Sequence, residues 1–156
     1  MIVLALLAIP RVLTALRTIL LNDAQLVARL ATAPASVGGG PAIYTEGAVP
    51  ADAVTDYLTI GSFTERDEST MGRGRKWGSA LTAQIKLVTR KPDVGANLMT
   101  VDRVIALLHG VPLTVADYSH GSCALEVVVD AYDEKYAGIV YRHYPTLWNI
   151  RVGQPT

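Results

Sequence analysis

The last third of the chain holds three strand-like segments, and these limit the possible folds more than any other feature. Residues 111–116, 123–131 and 137–152 are rich in β-branched and aromatic side chains. Polar turns are predicted between them, at residues 117–122 and at Asp133–Lys135. One face of the second segment comprises Cys123, Leu125, Val127, Val129 and Ala131. Because such short connections join antiparallel neighbours, the pattern predicts a sheet built from hairpins.

Pro145 interrupts the last of these segments. Proline cannot donate a hydrogen bond to a strand ladder, so we expect a bulge at Pro145 or an edge position for the strand.

Two amphipathic helices are predicted elsewhere in the chain. The first begins at Pro10, and Asn22-Asp23 marks either a break or a new N-cap. The second follows Asp93 and ends before Gly110, which takes the position that favours a left-handed conformation. Its expected apolar stripe comprises Val94, Leu98, Val101, Ile105 and Leu108.

Two further strands are expected at 57–66 and 77–90, separated by a polar, mobile loop at 67–76. Leu81, Ala83, Ile85 and Leu87 share one face of the second of these strands. The sequence therefore predicts an α+β fold, with a mainly antiparallel sheet and two helices packed on one face. Its length predicts a single domain over residues 1–156.

Residues 1–9 form an apolar N-terminal stretch. About 20 apolar residues are needed to span a bilayer, and this stretch has no basic residue before Pro10. We expect an apolar arm or strand without a membrane role. A signal or anchor segment, or an extended start of the first helix, are the alternatives.

The charges are balanced, with 14 basic and 14 acidic residues. Phosphate contacts dominate nucleic-acid affinity, so tight DNA binding is not expected, although DNA could pass a surface loosely. The single cysteine, Cys123, cannot form an internal disulfide, which fits folding in a reducing compartment.

Residues 117–123 contain Asp, Ser, His and Cys side chains, the types that hydrolases use. Catalytic triads converge from distant elements, whereas these neighbours lie in one predicted turn. The three histidines fall in three elements without ligand-like spacing, and Gly38–Gly40 lacks the Gly-Lys-Ser/Thr ending of a phosphate loop. We predict no catalytic, cofactor-binding or metal site.

Contacts with partner proteins are predicted instead at two polar regions, the 67–76 loop with the residue before it and the turn near residue 134. The candidate residues are Arg66, Asp67, Glu68, Arg73, Arg75, Lys76, Asp133, Glu134 and Lys135.

Four stretches resemble one protein family over about Val12 to Val152. They are Leu20–Asp23 with Leu26–Leu30, then Ile43-Tyr44 with Pro50 and Tyr57–Ile60, then Val104–Gly110, and finally Gly138–Arg142. The order of these elements is similar to that of the tail-completion, or tail-terminator, proteins of long-tailed bacteriophages and gene-transfer particles. Asp56 replaces a proline that is frequent in the family, and the apolar arm is longer than its pattern.

The resemblance implies a structural protein of the virion neck, assembled in the host bacterial cytoplasm and not an enzyme. It implies a ring, usually a hexamer, that caps the head-proximal end of the tail tube and stops tube polymerisation. The implied partners are copies of the chain, the tail tube protein and the head-closure protein, with DNA only in transit. A head-closure or adaptor protein is the first alternative, and a small ligand-binding domain or enzyme is the second.

Overall fold

The predicted α+β class is confirmed. The computed structural model describes residues 8–69 and 76–156, and in this part of the chain helices lie against one face of a seven-stranded sheet. The sheet is mixed, because one of its strand pairs is parallel and the others are antiparallel.

The helices begin and end close to the predicted positions. They are α1 (Ile9–Leu21), α2 (Ala24–Val27) and α3 (Val94–Leu108), with a short 3₁₀ helix at Ala35–Val37. The predicted N-cap at Asp23 is confirmed, because its carboxylate accepts the Leu26 backbone N–H at 2.8 Å. Asp93 caps α3 in the same way, accepting from Ala96 N at 3.1 Å.

The strands are β1 (Ile43–Thr45), β2 (Tyr57–Ser69), β3 (Lys76–Thr89), β4 (Pro112–Leu113), β5 (Gly121–Val128), β6 (Tyr132–Tyr136) and β7 (Ile139–Val152). Their order across the sheet is β1-β2-β3-β7-β5-β4, and β6 pairs with β7 on the same side as β5. The short β1 runs parallel to β2.

The core lies between the helices and one face of the sheet. The predicted face of β3, from Leu81 to Leu87, is buried there. It meets Trp148 and Ile150 of β7, both fully buried, and residues Val12, Leu16 and Leu20 of α1. Each such side chain stabilises the fold by about 1.5–3 kcal/mol relative to exposure.

The predicted apolar stripe of α3 is partly wrong. Val94 and Leu98 are exposed, whereas Asn97, Val101, Val104 and Leu108 are buried. The amide of Asn97 donates to the Lys91 carbonyl at 3.0 Å and to the Tyr144 hydroxyl at 3.2 Å. Because this polar side chain is hydrogen-bonded in the core, the helix can turn its first apolar residues outward.

The predicted loop at 67–76 is wrong at both of its ends. Residues 67–69 continue β2 and Lys76 begins β3, so these four positions belong to strands. The predicted mobility falls on residues 70–75, which lie outside the described residues. Of the apolar arm at 1–9, residues 1–7 also lie outside them, and Ile9 already begins α1.

Two boundaries in the last third of the chain are corrected. The predicted strand 111–116 shrinks to β4, and β5 ends at Val128, leaving Val127 and Val129 exposed instead of inward. The predicted turn at Asp133–Lys135 is a strand, β6. The turn lies at Ala137 and Gly138, whose φ angles of 50° and 79° suit a two-residue hairpin.

Pro145 lies in a central strand, which corrects the expected bulge or edge position. On one side β7 pairs with β3 along 142–152, including Pro145 opposite Lys86. On the other side its partner changes from β6, at 139–143, to β5, at 146–152. The N and C=O of a strand residue point to the same side, and the Pro145 carbonyl accepts from Val129 N at 3.0 Å. The side of Pro145 that lacks an N–H donor therefore faces the point where the partner of β7 changes from β6 to β5.

Candidate assembly site

Two arginines lie on the sheet face that points away from the helices. Arg66 of β2 pairs with Ala80 of β3, which pairs with Arg151 of β7, so the three residues form one row across the sheet. Paired residues on neighbouring strands project to the same face, and Leu81 and Ile150 beside them face the core. Two strand spacings put the arginine backbones roughly 10 Å apart.

A groove of about 450 Å³ opens on this face between the two arginines. The next row of side chains, Thr64, Thr82 and Asn149, contributes an uncharged polar lining. Arg66 and Arg151 are exposed, and neither forms an ion pair with any described residue. This surface, named here the basic sheet face, can receive anionic groups.

A second charged surface lies along the strands that pair with β7 between Leu147 and Ile139. Residues 126–142, named here the acidic hairpin, hold four carboxylates (Glu126, Asp130, Asp133 and Glu134) and two bases (Lys135 and Arg142). By contrast, the sequence 66–76 holds four bases and two carboxylates.

One ion pair is internal to the acidic hairpin. The Arg142 guanidinium donates to both Asp133 oxygens, at 2.7 and 3.0 Å. Its hydrogen bonds hold the pKa of Asp133 below the ordinary value. Asp133 is therefore neutralised within its own hairpin.

Glu134 lies beside a buried histidine. Its Oε2 lies 3.0 Å from Nε2 of the buried His143, although the geometry is not that of a hydrogen bond. Burial lowers the pKa of His143, and Lys86 lowers it further, against the opposing effect of Glu134. A neutral imidazole at pH 7 does not balance the carboxylate. Glu126, Asp130 and Glu134 are all exposed on this surface.

The acidic hairpin also exposes apolar surface that the sequence analysis missed. Tyr136 is 73% exposed, and Tyr132 is 46% exposed although its ring stacks on His143 with centroids 4.7 Å apart. Val127, Val128 and Val140 are exposed as well. The run Val127–Val129 was the available signal, because three successive apolar residues put apolar side chains on both faces of a strand. Large exposed apolar patches mark interaction sites.

The predicted contact residues divide between these two surfaces. Arg66 lies on the basic sheet face, Glu68 lies half-buried two residues along β2, and Asp67 and Lys76 belong to β2 and β3. Arg73 and Arg75 lie outside the described residues. Asp133, Glu134 and Lys135 are exposed on β6. Tyr136, at the tip of the acidic hairpin, pairs with Ile139 and is roughly 40 Å along β7 from Arg151, whereas Glu126, on β5 near Leu147, is roughly 15 Å from Arg151.

The residue types that suggested hydrolase chemistry do not converge. Asp117 accepts from Arg11 Nε of α1 at 2.7 Å, and Ser119 Oγ lies 3.0 Å from Nδ1 of the adjacent His120. Cys123 is buried, and burial raises its pKa to about 12. Asp117, Ser119 and Cys123 are close in the sequence, but their side chains have different surroundings.

The histidines and the other possible metal ligands are dispersed in the described part of the chain. In those residues, no group of three or more His, Cys, Asp and Glu side chains is placed to hold a metal ion. His109 instead accepts the Leu125 backbone N–H at 3.0 Å, linking the end of α3 to β5. None of the described helices has the length and apolar character needed to cross a membrane.

Comparison with known proteins relates the chain to phage tails. The family model described as "Tail completion protein gp17" matches residues 14–140. A chain in the solved structure described as "Virion of native gene transfer agent (GTA) particle" superposes with a TM-score of 0.67 at 19% sequence identity. The alignment covers 96% of this chain and 99% of that chain, which shows a common fold. A comparison with curated proteins finds no match.

Proposed function

The chain belongs to the tail completion protein gp17 family, a family of structural virion proteins, and on this premise we propose that it forms a closed ring, hexameric in its common form, at the head-proximal end of the tail tube. The ring stops tube polymerisation and joins the tail to the head-closure proteins. DNA passes through its lumen.

The extent of the fold likeness is the observation that carries this proposal. The chain shares almost its whole length with a chain from the structure of a gene transfer agent virion. We propose that residues 1–156 act as one structural domain without a catalytic role. Assembly takes place in the host bacterial cytoplasm, and the protein then remains in the virion.

The surfaces of the molecule suit a ring subunit. A ring built from identical subunits in a head-to-tail arrangement needs two different patches on each copy. The basic sheet face and the exposed tip of the acidic hairpin at Tyr136 are two different patches, and roughly 33 Å of β7 separates Tyr136 from Asn149 in the groove. A chain without net charge also suits a passage through which DNA must move freely.

The test is to purify the protein and measure its mass by light scattering, followed by electron microscopy. We expect closed rings with a central hole. In a polymerisation reaction of the cognate tail tube protein, added rings should bind one end of each tube and limit tube length.

Two results would contradict this function. One is a protein that remains monomeric at high concentration and leaves tube growth unchanged. The other is a virion in which the subunit contacts the head-closure proteins but not the tube, because that position belongs to a head-closure or adaptor protein.

A further inference from the structure

We propose that a pocket on the sheet face away from the helices binds the guanidinium group of an arginine side chain that a different protein presents. The pocket, named here the tyrosine pocket, has a volume of about 310 Å³ and lies between the loop before β2 and the β6–β7 hairpin. Its polar lining residues are Tyr57, Glu134, Tyr136, Tyr141 and His143. The inference rests on the proposed function only for the class of partner, since that function requires contacts with other virion proteins.

Strand pairing brings the polar lining of the pocket onto one face of the sheet. Tyr57 of β2, Val88 of β3 and His143 of β7 form one row. Tyr141, two residues before His143, projects to the same face and pairs with Glu134 of β6. These side chains are distant in sequence, and only the sheet register makes them neighbours.

Alternation along the β6–β7 hairpin decides which of its charges reach the pocket. Residues 132–142 hold two acids and two bases. Asp133 pairs with Arg142, and both project to the face opposite Glu134, as does Lys135. Among the described residues, Glu134 is therefore the single Asp, Glu, Lys or Arg that lines the pocket.

The basic residues of the neighbouring strand contact other groups. Lys86 Nζ lies 3.5 Å from the Tyr132 hydroxyl, and Lys91 Nζ lies 3.1 Å from Asp56 Oδ2. Neither lysine lines the tyrosine pocket, and Arg90 lines a separate groove. A cationic group that enters the pocket therefore meets a carboxylate and no lining base among the described residues.

The hydrogen-bonding capacity of the lining favours a guanidinium. A carboxylate only accepts hydrogen bonds, and a phenol hydroxyl and a neutral imidazole can each accept one. Burial lowers the pKa of His143, and Lys86 lowers it further, so its ring is neutral at pH 7. Both ring nitrogens are buried without a hydrogen-bond partner among the described residues. A guanidinium has five donors and no acceptor, which complements this lining.

The tyrosine rings are a second reason for a cation. An aromatic face attracts a positive charge, and aromatic cages bind cationic groups in this way. The pKa of Tyr57 is raised by burial, then by Tyr141 and Glu134, which is consistent with these groups facing one pocket. The volume is at the lower end of the range for ligand pockets, about 300–1,000 Å³, and suits one side chain.

Titration with acetyl-arginine amide tests the site. The isotope-labelled full chain is followed by NMR, and the backbone amide signals of residues 49–57 and 134–143 should shift and saturate. Acetyl-citrulline amide is the matched control, because its neutral urea has the same shape but replaces a donor with an acceptor oxygen. It should bind about tenfold more weakly.

Variants at exposed positions locate the contact. Glu134→Gln should weaken binding of acetyl-arginine amide about tenfold, because it removes the lining carboxylate. Glu126→Gln removes an exposed carboxylate that does not line the pocket and should leave the affinity unchanged. Tyr136→Ala should weaken binding about two- to fivefold, whereas Tyr136→Phe, which keeps the ring, should weaken it less. Circular dichroism verifies that each variant is folded.

The outcomes separate this inference from the ring function. Equal affinity for the arginine and citrulline compounds, or unchanged affinity in Glu134→Gln, would overturn the site and leave the ring function standing. A wild-type protein without rings would overturn the ring function, while the titration would still test the site.

Occupation of the pocket by a second copy is a distinct outcome. Acetyl-arginine amide would then bind the dilute monomer and fail to bind the assembled protein, and this would overturn the assignment to a different protein. Equal binding before and after assembly supports that assignment.

Discussion

The guanidinium of Arg103 holds the carboxylate of Asp23 that caps α2. Arg103 Nε donates to Asp23 Oδ2 at 2.9 Å, and the same oxygen accepts the Leu26 backbone N–H at 2.8 Å. The hydrogen bonds from Arg103 are the main cause that lowers the pKa of Asp23 to about 2. One carboxylate thus begins α2 and joins it to α3.

This pairing predicts a specific pH dependence of stability. The pKa of Asp23 is about 2 in the folded protein against an ordinary 3.8, so its stabilising effect is complete above 3.8. The effect is lost as pH falls through about 2. We expect the stability difference between wild type and Asp23→Asn to shrink between pH 4 and pH 2, measured by urea unfolding.

Asp102→Asn is the control for that experiment, because Asp102 is exposed on α3. Its stability difference from wild type should vary less with pH. If the difference in the free energy of unfolding between wild type and Asp23→Asn stays constant from pH 6 to pH 2, the Asp23–Arg103 pair does not have this role.

Trp148 should be a major source of stability. It is fully buried, and its Nε1 donates to Thr146 Oγ1 at 2.8 Å. Replacing a buried tryptophan with alanine leaves a cavity, so Trp148→Ala should lower the free energy of unfolding by about 3–5 kcal/mol. Trp148→Phe keeps much of the packing and should cost less. Circular dichroism in increasing urea would measure both, and equal losses would contradict the packing argument.

Cys123 should be inert in the folded protein. Burial raises the pKa of its thiol to about 12, so almost no thiolate exists at pH 8. We expect iodoacetamide to label Cys123 slowly in buffer and rapidly in denaturant. Mass spectrometry of the labelled chain measures this, and fast labelling of the native protein would show that the residue is accessible.

The hairpin turn offers a stabilising substitution. Ala137 has a φ of 50°, which costs a residue with a Cβ about 1–2 kcal/mol. Asparagine adopts this conformation more readily and precedes glycine in favoured two-residue turns, so Ala137→Asn should stabilise the fold by up to about 1 kcal/mol. Ala131→Asn, outside the positive-φ residues, serves as the control. A lower melting temperature for Ala137→Asn would contradict the turn assignment.

Local sequence signals predicted the kinds of elements and most of their positions. Asp23 and Asp93 were expected beside helix starts, and both accept the N–H three residues on. The buried face of β3 followed from its alternation. These features depend on neighbours within a few residues, so the sequence alone contains them. The orientation of α3 was not predictable, because it depends on Asn97 bonding to Tyr144, 47 residues away.

The candidate contact residues likewise include some that the sequence predicted and some that only the tertiary structure revealed. Arg66 and Asp133–Lys135 could be chosen from sequence as exposed charges, but nothing local indicated that Arg151 would stand in the same row as Arg66. Nor did the sequence show that β5 and β6 would pair one after the other with the same side of β7. Spacing and composition determined an α+β subunit with charged surfaces. Only the tertiary structure decided how those charges are grouped, because strand register is set by long-range packing of the core.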